Sequence, residues 1–478
     1  MPPTEEQLSN LELLIGGKAV RGSTATPVTN PATEELLADA PLADLAQINE
    51  AVAAARAALP AWSRDQARRS DVCRQMARIV AENQELLARS LALELGQPLK
   101  VAAQEVGAAA AFLKYRAARV TRTETLVDDG QQQVLLVRAP VGVVGAIVPW
   151  NAPLLIACEK IATAFEAGNT VVLKPSPLAP LTVLLFGRLV RDAVPAGVLN
   201  ILPGAGSLGA ELVAHVDVAM ISFTGSTSTG KTIMATAAPT LKRLSLELGG
   251  NDAAIVLPDA DVARTARSIY GGAFYRGGQV CAAIKRVYVH RRIHDAFVDA
   301  LRALAEGAVL GDPFDPAVTL GPLSNRMQFD IVDSLARSAT AEGGAFVCGG
   351  TRRAGKGYFF PPTLVTGLGP AAQLVTKEQF GPILPILAFD DVDGAVTAVN
   401  DTPYGLGNSV WTSNIGLGRE IAARLDSGSV WINRHGIVAP DIPFGGMKQS
   451  GVGRSNGDPG LDAYCELKTL SIALPKTA

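Results

Sequence analysis

A thiol, a primary amide and a carboxylate stand where strands and turns could deliver them to one crevice. Cys281 closes the run Tyr275-Arg-Gly-Gly-Gln279-Val-Cys281, a glycine-rich approach in which backbone N–H donors could favour thiolate over thiol. Taken alone, an inert buried cysteine is the simpler reading. Asn151 ends an apolar run in Pro149-Trp150-Asn151, and ahead of Pro153 it could cap a helix. Glu247 ends another run in Glu247-Leu248-Gly249-Gly250 and by itself could be a solvated acid or an ion-pair partner. All three change standing when considered together, because each closes a segment that would face the same cleft.

Two glycine-rich turns could handle phosphate. Gly204-Ala-Gly206-Ser-Leu-Gly209 satisfies G-x-G-x-x-G directly after the apolar run Val198–Leu202. The acidic residue that would hold a ribose roughly 20 positions later is not in place, so a helix-starting turn with a looser role is the stronger reading. Gly225–Thr232 matches G-x-x-x-x-G-K-T, yet no apolar run ending in a metal-holding Asp stands nearby. A helix N-terminus facing a cofactor fits it better than nucleotide hydrolysis.

The elements that must position these residues follow from the pattern. Ile48–Leu59, Ala67–Gly96 and Leu99–Arg119 read as Ala/Leu-rich helices, so the N-terminal region reads mainly as helical. Thr121–Arg138 reads as a projecting hairpin turning at Asp128-Asp129-Gly130. From Val141, VGVVGAIVP, NTVVLKPS, GVLNILPG, VAMISFTGS and KRLSLELGG are short apolar strands separated by helical stretches. DAAIVLP, KRVYVH, GAFVCGG, PILPILAF, GNSVWTS and SGSVWIN form a second such series. The boundary falls at Glu247–Asn251, which gives an α/β fold of two lobes with a crevice between them. LKTLSIALP near the end reads as an edge strand that needs a partner.

With 478 residues, 48% hydrophobic and 18% charged, the chain can bury large cores. Lys and Arg total 43 against 45 Asp and Glu, which offers no field to gather nucleic acid, and none is expected as a partner. Five cysteines without C-x-x-C spacing and four histidines argue against a disulfide framework or a metal site, so no metal is expected. Ala139–Cys158 lacks formal charge, but Pro140, Pro149 and Pro153 interrupt it, and no membrane span is expected. The acidic start MPPTEEQLSN is unlike a secretory signal, and with reduced thiols it points to the cytoplasm.

The ordered set PWN, KPS, FTGS, ELGG, GQVC, KEQFGP and PFGG resembles the NAD(P)-dependent aldehyde dehydrogenase superfamily over nearly the whole chain, from Ile15-Gly-Gly to YCELKT. The resemblance implies two Rossmann-like lobes with an additional β-hairpin and C-terminal strand as an oligomerisation element. It places residues 8–119 and 139–248 in a cofactor-binding domain, 249–441 in a catalytic domain, and 120–138 with 460–478 in the oligomerisation element. It implies Cys281 as nucleophile, Glu247 as general base, Asn151 as oxyanion donor and Lys160 as a proton-relay residue. For the cofactor it implies Ile147, Pro149 and Trp150 along the nucleotide, Lys174 on the adenosine ribose with Ser176 also cofactor-binding, and Gly209 beside the adenine pocket. Ser226 is implied near the pyrophosphate, Glu378 on the nicotinamide ribose and Phe380 against the nicotinamide end, with Phe223 and Leu248 also cofactor-binding.

The expected reaction is oxidation of a small-molecule aldehyde to a carboxylic acid, through a thiohemiacetal and a thioester on the cysteine. A CoA-acylating aldehyde or semialdehyde dehydrogenase and a non-catalytic cofactor-binding homologue are the alternatives. The complete ELGG motif argues against the first and the intact thiol, amide and carboxylate against the second. Pro177 stands where strongly NAD-preferring relatives carry a Glu, so NAD is expected and NADP stays open. Asp458 stands where many relatives have a relay Glu, and its shorter side chain puts that relay in doubt. Ala152, Ile156, Glu159, Tyr275, Arg276 and His435 are candidates for the substrate entrance, and a medium-sized aliphatic or aromatic aldehyde is expected. A homodimer or homotetramer is implied by the edge strands and the resemblance.

Overall fold

The computed structural model describes residues 8–121 and 123–475. The acidic start up to residue 7, and positions 122 and 476–478 of the expected oligomerisation element, lie outside the described residues.

An eight-stranded sheet is built on five parallel strands that come in chain order as Val143–Ile147, Thr170–Lys174, Leu199–Ile201, Met220–Thr224 and Arg243–Glu247. Their spatial order runs fifth, fourth, first, second, third, so the direction of winding reverses between Val143–Ile147 and Met220–Thr224. A crevice outside the carboxyl ends of the strands opens at such a reversal, and that is where ligands of doubly wound sheets bind. The strands are apolar throughout because helices cover both faces. Val144, Val171 and Leu173 pack into one core with the helices Gln66–Glu82, Leu99–Ala117 and Pro153–Ala167, while Val143, Val172 and Ile221 pack on the other face against Leu45–Arg64 and Gly206–Ala214.

A seven-stranded sheet forms the second lobe, in the order Ala345–Cys348, Thr363–Thr366, Ile383–Phe389, Ile284–His290, Asp252–Val256, Gly407–Trp411, Ser429–Ile432. All of its neighbours pair in parallel except the first two. The expected hairpin is present: Glu124–Asp128 pairs with Gln132–Pro140, and Asp129 accepts from the backbone N–H groups of Gln131 and Gln132 while Gly130 takes φ 77°. Cys465–Ala473 pairs antiparallel along the whole of Gln132–Pro140, so tail and hairpin make a separate three-stranded sheet.

The N-terminal region departs from the helical expectation. Four short strands precede the first long helix: Leu13–Ile15 and Lys18–Val20 extend the large sheet, and Thr24–Thr29 pairs with Leu36–Leu42. Ala67–Gly96 is not one helix but two, Gln66–Glu82 and Gln84–Leu95, broken where Asn83 (φ −104°, ψ 22°) turns its N–H back onto Ala81 and Ile79. A further short strand, Gly451–Val452, brings the late chain back onto the edge strand Arg243–Glu247 of the first sheet. The described residues hold no helix long and apolar enough to cross a membrane, and all five cysteines are unpaired.

Candidate functional site

Cys281 is delivered by an unusual piece of backbone. Arg276, Gly277 and Gly278 take φ values of 55°, 65° and 71° in succession, a left-handed stretch that glycine tolerates and arginine rarely does. Any Cβ at Gly278 would sit 2.4 Å from the carbonyl oxygen of Gly381, so that position is closed to other residues. Arg276 is held in its strained conformation by a buried ion pair, 2.9 Å from Glu105, while it donates at 2.9 Å to the carbonyl of Asn151. Glu105 also accepts from the N–H groups of Leu154 and Leu155, which caps the helix Pro153–Ala167 that Pro153 begins. One carboxylate thus fixes both the cysteine loop and the backbone of Asn151. Arg276, expected at the substrate entrance, is instead 8% exposed and structural. Glu105 escaped the sequence reading because nothing marks a helical Glu whose partners lie far along the chain.

The Asn151 amide donates at 2.9 Å to the carbonyl of Gln279, which ties the end of the first parallel strand to the cysteine loop of the other lobe. A primary amide carries two N–H donors, so one stays available to an oxygen beside Cys281. Cys281 itself packs against Ala282, Leu406, Trp431 and Phe444. Burial pushes its thiol up to about 12, the Lys285 ammonium opposes this, and Asp252, Glu378 and Glu247 add to it. Burial thus works against the thiolate that the glycine-rich loop was expected to favour. Lys285, the nearby cation, spends its donors on the carbonyls of Cys281 at 2.5 Å and Val280 at 3.1 Å.

Glu247 is 7% exposed, and neither carboxylate oxygen has a hydrogen-bond partner among the described residues. Burial raises its pKa, and the Glu159 carboxylate raises it further, against the pull of Lys160. Lys160 is buried and donates at 2.8 Å to the Ser222 hydroxyl, which also accepts from the Tyr464 hydroxyl at 2.6 Å. Asp458, the expected relay position, faces outward in an ion pair with Arg119, its side chain 73% exposed. Ser455 and Arg454, earlier in that loop, are the residues of it that act on Glu247, both lowering its pKa. His435 is not an entrance residue either: its ring donates from Nε2 at 3.1 Å to the carbonyl of Ala282 and packs 4.7 Å from Trp431, bracing the residue after the cysteine. Tyr275 is exposed and bonds Gln104, Ala152 is buried, and Ile156 is half-buried against the core of the first lobe.

The expected cofactor residues gather at the sheet reversal. Ile147, Pro149 and Trp150 follow one strand end, and Trp150 meets Phe380 edge-on at 5.5 Å. Lys174 ends the neighbouring strand, 6% exposed, and burial lowers its ammonium to about 8 with no carboxylate opposing. Its stem lies against Gly209, where a Cβ would stand 3.5 Å from it. Ser176 accepts from the N–H of Leu178 in the next turn. Ser226 caps the helix Thr227–Ala237 by accepting from Thr229, with Phe223 and Leu248 buried beneath. Gly225 and Gly230 are required there, since a Cβ would meet the Phe223 ring at 2.4 Å and Leu248 at 2.6 Å. Glu378 is fixed by the N–H of Gly250 at 3.0 Å and by Lys285 at 3.5 Å. Gly204–Gly209, by contrast, follows the third strand rather than the reversal and holds no left-handed glycine, consistent with a helix-starting turn. A buried ammonium without a counter-ion among the described residues, two glycine-lined helix starts and an anchored carboxylate, all along one crevice, fit a dinucleotide.

The profile described as the aldehyde dehydrogenase family matches residues 19–470. A phenylacetaldehyde dehydrogenase of Pseudomonas fluorescens is 38% identical over 97% of this chain and 96% of its own length. Among solved structures, the NAD+ complex of an aldehyde dehydrogenase from Bacillus cereus superposes with a TM-score of 0.97 at 36% identity, covering 99% of both chains. A betaine aldehyde dehydrogenase of Staphylococcus aureus in complex with NAD+ gives 0.95 at 32% identity, over 99% of this chain and 97% of that one.

Proposed function

Because this chain belongs to the aldehyde dehydrogenase family, we propose that it oxidises a medium-sized aromatic or aliphatic aldehyde, of which phenylacetaldehyde is the first to test, to the free carboxylic acid with NAD or NADP. The observation that carries the reading is the unpartnered, buried Glu247 carboxylate in the same crevice as the Cys281 thiol and the Asn151 amide.

Cys281 attacks the aldehyde carbon through sulfur, and its proton passes to a carboxylate as the C–S bond forms. The free N–H of Asn151 and the Cys281 backbone N–H stabilise the oxyanion. A nicotinamide cofactor, when bound, would supply the acceptor for a hydride from the same carbon. Trp150, Phe380, Lys174, Ser176, Ser226, Gly209 and Glu378 are the residues that would hold it, with Ile147, Pro149, Phe223 and Leu248 as the floor. Glu247 then takes a proton from water as that water attacks the thioester, and the Cys281 sulfur departs. Its raised affinity for protons suits a base that must be neutralised and emptied in every cycle. Lys174 without a neighbouring carboxylate, and Pro177 beside it, support acceptance of a 2′-phosphate as well as a free ribose.

Residues 8–119 and 139–248 are proposed as the cofactor-binding domain, with Gly451–Val452 returning to it, and 249–441 as the catalytic domain. Residues 120–138 and 460–478 are proposed to join two copies: Leu126, Leu467 and Leu470 are exposed on the three-stranded sheet, and both of its edges are unpaired. Initial rates over an aldehyde panel with each cofactor test the reading. Free acid and reduced cofactor in equal amounts are expected; product only as an acyl-CoA when CoA is supplied would overturn it.

A further inference from the structure

This inference rests on the aldehyde-oxidising reading and concerns Lys285, a buried cation that no step of that reaction uses. It lies on the strand Ile284–His290 with its side chain 2% exposed. Pairing with Asp252–Val256 slips at this point: Asp252 faces Ile284 but Ala253 faces Arg286, so Lys285 is the extra residue of a β-bulge. A bulge interrupts the alternation of a strand, and beside a site it can re-aim one side chain. Here the ammonium turns back onto the cysteine loop, donating at 2.5 Å to the carbonyl of Cys281 and at 3.1 Å to that of Val280, with the Ala283 carbonyl at 3.5 Å. Glu378 stands 3.5 Å from the same ammonium, and the Gln379 amide donates at 2.8 Å to the Lys285 carbonyl. Two consecutive residues of KEQFGP thus grip both ends of the lysine.

The C=O and N–H of a planar trans peptide point in opposite directions. The Val280 carbonyl and the Cys281 N–H share one such unit. Lys285, together with the Ala283 N–H at 3.1 Å, holds that carbonyl, so the Cys281 N–H is directed away from the ammonium. A carbonyl that accepts from a cation also makes the N–H of its own peptide a stronger donor. On the cofactor side, Oε1 of Glu378 is shared between Lys285 and the Gly250 N–H at 3.0 Å, while Oε2 lies over Gly249, where a Cβ would stand 2.2 Å from it. We propose that Lys285 is a positioning residue for the oxidation: it aims the Cys281 N–H at the aldehyde oxygen and ties that donor to the Glu378 seat of the nicotinamide ribose. Lys285 acts through these groups and itself touches neither substrate nor cofactor.

The test separates a misaimed donor from a weakened fold. In Lys285→Met, the rate constant of the single-turnover burst of reduced cofactor should fall about tenfold at saturating aldehyde and NAD, a part of what a whole oxyanion donor is worth. KM for NAD should rise and KM for the aldehyde should stay. Alkylation of Cys281 by iodoacetamide, followed by mass spectrometry on its peptide, supplies a second readout. Asp252, Glu378 and Glu247 face that thiol and keep its proton on, Lys285 opposes them, and His435 stands 3.6 Å from Asp252. With the cation gone, the midpoint of the alkylation profile should move to higher pH. Lys285→Gln should behave alike, and it decides the matter if Lys285→Met does not fold. A wild-type burst rate in both variants, or a lower melting temperature with burst rate and alkylation profile unchanged, would overturn the proposal. Absence of any aldehyde-dependent burst in the wild type would instead overturn the aldehyde-oxidising reading on which it rests.

Discussion

Replacing Cys281 by Ala should abolish reduction of the cofactor, and replacing Glu247 by Gln should leave the first turnover but slow the steady state by about 10²-fold, the scale of a lost general base. Rapid mixing with absorbance detection of the reduced cofactor reads both. Lys174 offers a pH test. Its folded-state pKa is lowered to about 8, so its charge is present at neutral pH and lost as pH rises through that value. The cofactor KM should therefore climb above pH 8, more steeply for NADP than for NAD, and Lys174→Met should raise it at neutral pH and flatten that climb. Glu247 and Lys174 were legible in the sequence because each ends a strand inside a short motif, and Cys281 because it closes a glycine-rich loop. Glu105, Lys285 and Ser455 were not. They act across 49 or more positions in the first case and through backbone carbonyls or a spatial neighbour in the others, and no local pattern encodes such contacts.

The strand-ending motifs sit on strands buried between packed helices. The five parallel strands were readable as apolar runs closed by Gly, Pro, Ser or Asn, since burial on both faces leaves no polar alternation to confuse. The short strands before Leu45 were missed because hairpins of three and six residue pairs carry little hydrophobic signal, and Thr24–Thr29 even contains Pro27. The cysteine loop was visible as glycines but not as a left-handed path. Gly278→Ala should cost about 3 kcal/mol, from positive φ and the clash with Gly381, read as a lower midpoint in urea unfolding. Glu105→Gln leaves Arg276 buried without its counter-charge, and about 3 kcal/mol of stability should go with it. The same variant should lower kcat by loosening Asn151, which a merely surface pair would not do.

At the scale of the molecule, the chemistry belongs to neither lobe. Asn151 and Glu247 come from the first sheet, Cys281 from the loop that enters the second, and the bond from the Asn151 amide to Gln279 is the stitch between them. The third unit, made of hairpin and tail, is joined across 324 residues by the ion pair of Arg138 with Asp462 as well as by its ladder. Charging its exposed face, as in the double variant Leu467→Glu with Leu470→Glu, should yield a smaller particle by light scattering with the lobes still folded. The central claim is that an aldehyde becomes covalently bound to Cys281 in this shared crevice. Its most direct measurement is mass spectrometry of Glu247→Gln, quenched during turnover with NAD and phenylacetaldehyde. An acyl group on the peptide that contains Cys281, absent without NAD, is the expected result; turnover with no adduct there, or an adduct on another cysteine, would contradict it.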